Sequence, residues 1–111
     1  MTIETLKSFG ADTETGLSRC MGNEDFYLDL VRMALEDQTF SNLAAAIAQN
    51  NLYTAFELAH ALKGVYGNIA LTTIYEPLCE LTELLRRKEK ADYSTYINEI
   101  SYNINKLKQQ L

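Results

Sequence analysis

A chain of 111 residues, 47% of them hydrophobic, has the size of one domain and enough apolar side chain for a packed core. One proline and five glycines are too few for a turn-rich β fold. The formal charge of −5 argues against nucleic-acid binding, which needs clustered Lys and Arg to neutralise phosphates. No apolar run approaches the ~20 residues of a membrane span. Met1-Thr2-Ile3-Glu4 opens without the basic and apolar regions of a signal peptide, so no membrane association and a cytoplasmic location are expected. Cys20 and Cys79 lack C-x-x-C spacing and only one histidine accompanies them. A zinc site would lack ligands, and buried free thiols are expected.

In chain order, two short helices are expected at about residues 2–8 and 13–21, ended by Gly22-Asn23 as stop and cap. A helical stretch follows from Glu24 to Asn50. Its polar face is narrow at first (Asp25, Asp29, Arg32, Glu36), and nearly everything else from Phe26 to Leu35 is apolar. Phe40, Leu43 and Ile47 then start a new stripe, so a kink or break is expected near Thr39 or Ser41. Residues 52–71 carry Leu52, Ala55, Ala59, Leu62, Tyr66 and Ile69 at helical spacing. Residues 73–88 carry Ile74, Leu78, Leu81 and Leu85; Thr73 to Glu76 fits a capping box, which would put Pro77 in the first turn. Arg86-Arg87-Lys88 then suits the negative end of that helix dipole. Asp92 precedes a last helix with Tyr93, Ile97, Ile100, Ile104, Leu107 and Leu111 on one face. Turn signals at Asn50-Asn51, Leu71-Thr72 and Lys90-Ala91-Asp92 exclude one long coiled coil. Short connections make consecutive helices antiparallel neighbours. The expected fold is all-α: an antiparallel up-down four-helix bundle with short N-terminal helices, one domain over residues 1–111.

His60 is the chain's single histidine, and it sits inside a predicted helix that also carries Gly64 and Gly67. It follows Ala59 of the core stripe by one residue, so it is rotated about 100° from it. It shares a second stripe with Phe56, Lys63, Gly64 and Gly67, flanking the core. Helical side chains lean toward the N-terminus, so a side chain at position 64 would cover His60. Glycine removes that cover, and Gly67 clears the next turn. Each glycine costs about 1 kcal/mol relative to alanine in a helix interior. Close helix packing or free access to the imidazole must offset that cost. An open imidazole with an ammonium three residues on suits a phosphoryl group: the ring supplies a nucleophile and Lys63 stabilises phosphoryl oxygens. Phe56, beside His60, belongs either to the edge of the core or to a docking surface. The excess apolar width of Phe26 to Leu35 offers a hydrophobic patch for a partner.

The residues A59-H60-x-L62-K63-G64-x-x-G67-N68-x-A70-L71 resemble the signature of histidine-containing phosphotransfer (HPt) domains of two-component phosphorelays. The segment from Gly16 to Val31, GLSRCMGNEDFYLDLV, resembles that family's N-terminal segment, and the resemblance covers roughly residues 12 to 111. It implies a four-helix bundle, commonly monomeric, with no kinase activity of its own. His60 aligns with the phospho-accepting histidine, Lys63 with a lysine that contacts the phosphoryl group, and Gly64 with the small residue that leaves room for it. The implied partners are response-regulator receiver domains, and a hybrid histidine kinase where one feeds the relay. The implied cofactor is none in this chain, the Mg²⁺ site belonging to the receiver. Many members carry Gln or Glu on the next helix, bonded to the second imidazole nitrogen; the matching position here is Thr82, a hydroxyl in the orienting place. Ala70 stands where the family often has glycine, and Pro77 where it usually has an apolar helix residue.

The sequence therefore predicts a phosphorelay intermediate working through His60. The alternative is a helical module that docks a receiver or another signalling partner without phosphotransfer, motivated by the missing amide at Thr82. A hydrolase is disfavoured, because no second catalytic group or metal cluster accompanies His60. Met1 and the short flanks favour a free-standing protein.

Overall fold

The computed structural model describes residues 1–88 and 92–111. Its helices are α1 (Ile3–Ser8), α2 (Thr13–Arg19), α3 (Glu24–Glu36), α4 (Thr39–Ala48), α5 (Leu52–Asn68), α6 (Thr72–Arg87) and α7 (Tyr93–Lys108). No strand occurs among the described residues. Local chemistry starts most of them. Thr2, Asp12, Asn23, Asn51 and Asp92 each cap a helix by accepting a backbone N–H with the side chain. Such caps stabilise by roughly 1 kcal/mol each. Of the expected Lys90-Ala91-Asp92 turn, Lys90 and Ala91 lie outside the described residues.

The expected break between the third and fourth helices falls at Asp37 and Gln38. Asp37 is extended there, at φ −68° and ψ 149°, and its carboxylate accepts from the Thr39 N–H at 2.7 Å. The Thr39 hydroxyl, together with that backbone bond, holds the Asp37 carboxyl below its ordinary range. The break lets the chain change direction: α4 packs on α5, while α3 packs on α7. With α5 on α6 and α6 on α7, the bundle is closed around one core. Tyr27, Val31 and Leu35 of α3 are buried in it, together with Leu43, Ala55, Ala59, Leu62, Tyr66, Ile74, Leu78, Leu81, Leu85, Ile100 and Ile104. The predicted stripes thus supply the core. Two thiol and terminal expectations need correcting: Cys79 is only partly buried, unlike Cys20, and Leu111 is 47% exposed because α7 ends at Lys108.

The start of α6 also departs from expectation. The helix begins at Thr72, so Pro77 stands in its second turn, and no capping box forms. The Thr73 hydroxyl instead donates to the Phe9 carbonyl at 3.3 Å, tying α1 to α6. Pro77 lacks the N–H that would have bonded the Thr73 carbonyl. Asn103 of α7 supplies the missing donor through Nδ2 at 3.0 Å. A helix defect is thereby converted into a cross-link between α6 and α7.

The far end of α5 fixes the turn beyond the histidine helix. Ala70 and Leu71 donate to the Gly67 and Tyr66 carbonyls at 3.2 and 3.1 Å, and Ala70 sits at φ +60°. This is a Schellman ending with a left-handed residue that favours glycine. The alanine at this position is therefore a conformational strain and not a neutral exchange of small residues. Ala70→Gly should raise stability by roughly 0.5–1 kcal/mol, the left-handed strain exceeding the extra chain entropy of glycine. Urea unfolding would check it; an unchanged or lower midpoint would count against the strain.

Candidate functional site

The sequence of α5 sorts its residues by face. Ala55, Ala59, Leu62 and Tyr66 are buried, whereas Glu57, His60, Ala61, Gly64, Val65 and Asn68 are exposed. His60 lies in the middle of that outer stripe, away from both helix ends. Phe56, Lys63 and Gly67 are half-buried on its flank. The structure therefore gathers His60, Lys63, Gly64, Gly67 and Phe56 on one side of one helix.

The two glycines differ in purpose. A Cβ built on Gly64 meets nothing within 4 Å, so the space over the turn following His60 is open. A Cβ on Gly67 would lie 2.7 Å from the Tyr75 ring of α6. Gly67 thus allows close approach of Tyr75, a packing role and not the second clearing that the sequence suggested. Lys63, Gly64, Gly67, Asn68 and Tyr75 border one open depression beside α5.

Arg19 borders the same depression and has a role that sequence reasoning missed. Its Nη1 donates to the Gly67 carbonyl at 2.6 Å and the Asn68 carbonyl at 2.9 Å. A guanidinium there gives the Asn68 carbonyl a donor, adds one to the Gly67 carbonyl that Ala70 already serves, and complements the negative end of the dipole. Arg19 stood within the family-like segment, but nothing in the sequence relates it to a helix end 48 positions later. The Tyr27 hydroxyl anchors the same region by donating to the Ile69 carbonyl at 2.8 Å. Burial pushes the Tyr27 phenol up to about 12.

Thr82 does not take the orienting part expected for it. It is fully buried, and its hydroxyl donates to the Leu78 carbonyl one turn back at 2.6 Å. A threonine side chain is too short to leave its own helix once that bond is made. The His60 imidazole has no hydrogen-bond partner among the described residues. Its ring instead stacks on Phe56, centroids 5.9 Å apart and planes inclined by 24°.

On the neighbouring face, a groove of about 330 Å³ runs between α3 and α5. Met33, Ala34, Leu62 and Val65 line it, with Asp37, Thr39 and Asn68 as polar members. Met33 is 65% exposed and Val65 44%, and Phe26 of α3 is 51% exposed. The broad apolar face of α3 thus divides, one side feeding the core and the other reaching solvent. Among the described residues no group of three or more His, Cys, Asp and Glu side chains is placed to hold a metal ion, and no helix is long and apolar enough to cross a membrane.

A comparison with family models matches the Hpt domain over residues 28–110. The matched span contains α4 to α7 entire and starts within α3, so the segment from Gly16 to Tyr27 lies outside it. No curated protein and no solved structure matches the chain. An all-helical bundle, a solvent-facing histidine beside a lysine, and a family match over most of the length converge on one assignment: the chain belongs to the Hpt domain family, the histidine phosphotransfer modules of two-component signalling.

Proposed function

We propose that His60 relays a phosphoryl group between the aspartates of two receiver domains. A ring nitrogen of the neutral imidazole attacks phosphorus of an aspartyl phosphate. The P–O bond to the aspartate breaks, and the carboxylate leaves with the electron pair. The reverse displacement, by the carboxylate of a second receiver, returns the imidazole. Lys63 offsets charge on the phosphoryl oxygens in both directions. Mg²⁺ chemistry resides in the receiver. The apolar groove lined by Met33 and Val65 offers a receiver a surface beside the histidine.

The observation that carries the reading is the open space at Gly64 over an exposed His60 with Lys63 alongside. Incubation with a phosphorylated receiver domain should place an acid-labile, base-stable phosphate on the wild-type chain and none on His60→Gln. Equal labelling of the two would remove His60 from the mechanism. A second reading, docking without transfer, draws on the commitment of Thr82 to the Leu78 carbonyl. It requires receiver binding that survives His60→Ala while the wild type never acquires the base-stable phosphate.

A further inference from the structure

We propose that Phe56 and Arg86 act together as positioning residues that restrain the plane of the His60 imidazole. This rests on the reading of His60 as phosphoacceptor. The torsion that rotates an imidazole about its Cβ–Cγ bond has broad, roughly two-fold wells. An exposed imidazole with no hydrogen bond would sample both ring faces and present either nitrogen outward. His60 is exposed and lacks such a bond among the described residues. The stack on Phe56 is the contact that can restrain it.

Phe56 precedes His60 by four residues, so the two side chains are stacked neighbours on α5. Their centroid separation of 5.9 Å and inclination of 24° fall within the range of offset aromatic pairs. A flat neighbour limits the torsion because rotating the imidazole edge-on would break the stacked contact. Phe56 is itself restrained. It packs against the core cluster on one side, and Arg86 of α6 places its guanidinium carbon 5.2 Å from the Phe56 centroid. That separation is within cation–π reach. Glu83 pairs with the same guanidinium, its Oε1 3.4 Å from Arg86 Nε. The chain of contacts runs Glu83, Arg86, Phe56, His60 and joins the two central helices. The clamp thereby restrains the plane of the ring by stacking, and the ring edge stays turned to the same side between encounters.

The test uses the intact chain with isotope-labelled histidine. Relaxation of the imidazole C–H bonds reports ring order directly. Wild type and Phe56→Tyr, which keeps the stack, should give order parameters of about 0.8, near rigid backbone, and Phe56→Leu should fall below about 0.6. Arg86→Gln, at a half-exposed position, should lower the value partway. Backbone amide spectra away from these residues should stay in place. An imidazole as ordered in Phe56→Leu and Arg86→Gln as in the wild type would overturn the clamp, and so would one already mobile in the wild type. Phosphoramidate then tests the underlying reading separately. The imidazole nitrogen attacks phosphorus, the bond to the amino group breaks, and ammonia departs with the proton the ring gives up. This small donor needs no docked receiver, so the wild type should label at His60 and His60→Gln should not. Ring order that responds as expected, in a chain labelled neither by phosphoramidate nor by a phosphorylated receiver, would leave the clamp standing and remove the phosphoacceptor role.

Discussion

Gly64→Leu should fold at least as well as the parent chain and yet take up phosphoryl groups at least about 100-fold more slowly. The stability half follows from helix propensity. Position 64 is an exposed interior site of α5, and a Cβ there meets nothing. Replacing glycine with leucine should therefore recover roughly 1 kcal/mol. The activity half follows from direction. The new side chain leans toward the N-terminus and lies over His60, where the phosphoryl group must enter. Displacing reacting atoms by about 1 Å is enough for a loss of that order. Gly64→Ala should show the same opposition in weaker form. Gly67→Ala is the control: its Cβ would press on Tyr75, so no stability gain is expected there. Thermal unfolding and the initial rate of transfer from a phosphorylated receiver, measured on the same preparations, would decide the matter. A Gly64→Leu chain that transfers normally would show that the open space serves no phosphoryl group.

Gly16→Ala should destabilise the fold by roughly 1–3 kcal/mol, although it adds one methyl group to a short helix. Gly16 is buried on α2, and a Cβ there would overlap the Tyr27 ring of α3. Tyr27 cannot retreat without cost. It is fully buried, and its hydroxyl holds the Ile69 carbonyl at the end of the histidine helix. Overpacking a filled site forces off-rotamer side chains or backbone shifts of about that energy. The usual gain from replacing a helical glycine is thus reversed. Pairing the substitution with Tyr27→Leu should restore part of the loss relative to the sum of the single changes, since the ring that clashes is gone. Urea denaturation of the four chains would measure the coupling. Strict additivity would mean that the two residues do not meet.

These two glycines show where the sequence could be read and where it could not. The helices, their stripes and the break near Thr39 followed from apolar spacing and capping residues, because periodicity and capping are local properties. His60, Lys63 and Gly64 were legible for the same reason: residues three and four apart on a helix share a face whatever else the chain does. Gly64 and Gly67 carried one argument in the sequence, yet only Gly64 opens to solvent. The difference lies in Tyr75, which arrives from the next helix.

Contacts between distant segments were the part hidden from the sequence. Thr82 matched the orienting position by alignment, but burial and the Leu78 carbonyl claimed its hydroxyl. The apparent capping box at Thr73 to Glu76 suggested a later helix start, but the helix begins at Thr72 and Asn103 serves the carbonyl that Pro77 leaves free. Arg19, on α2, caps the final carbonyls of α5. By itself the sequence determined which residues share the histidine's face, since 3.6 residues per turn leaves little choice. Only the tertiary structure decided what stands opposite that face, because hydrogen bonds and ring contacts between helices depend on packing distances that no single segment encodes.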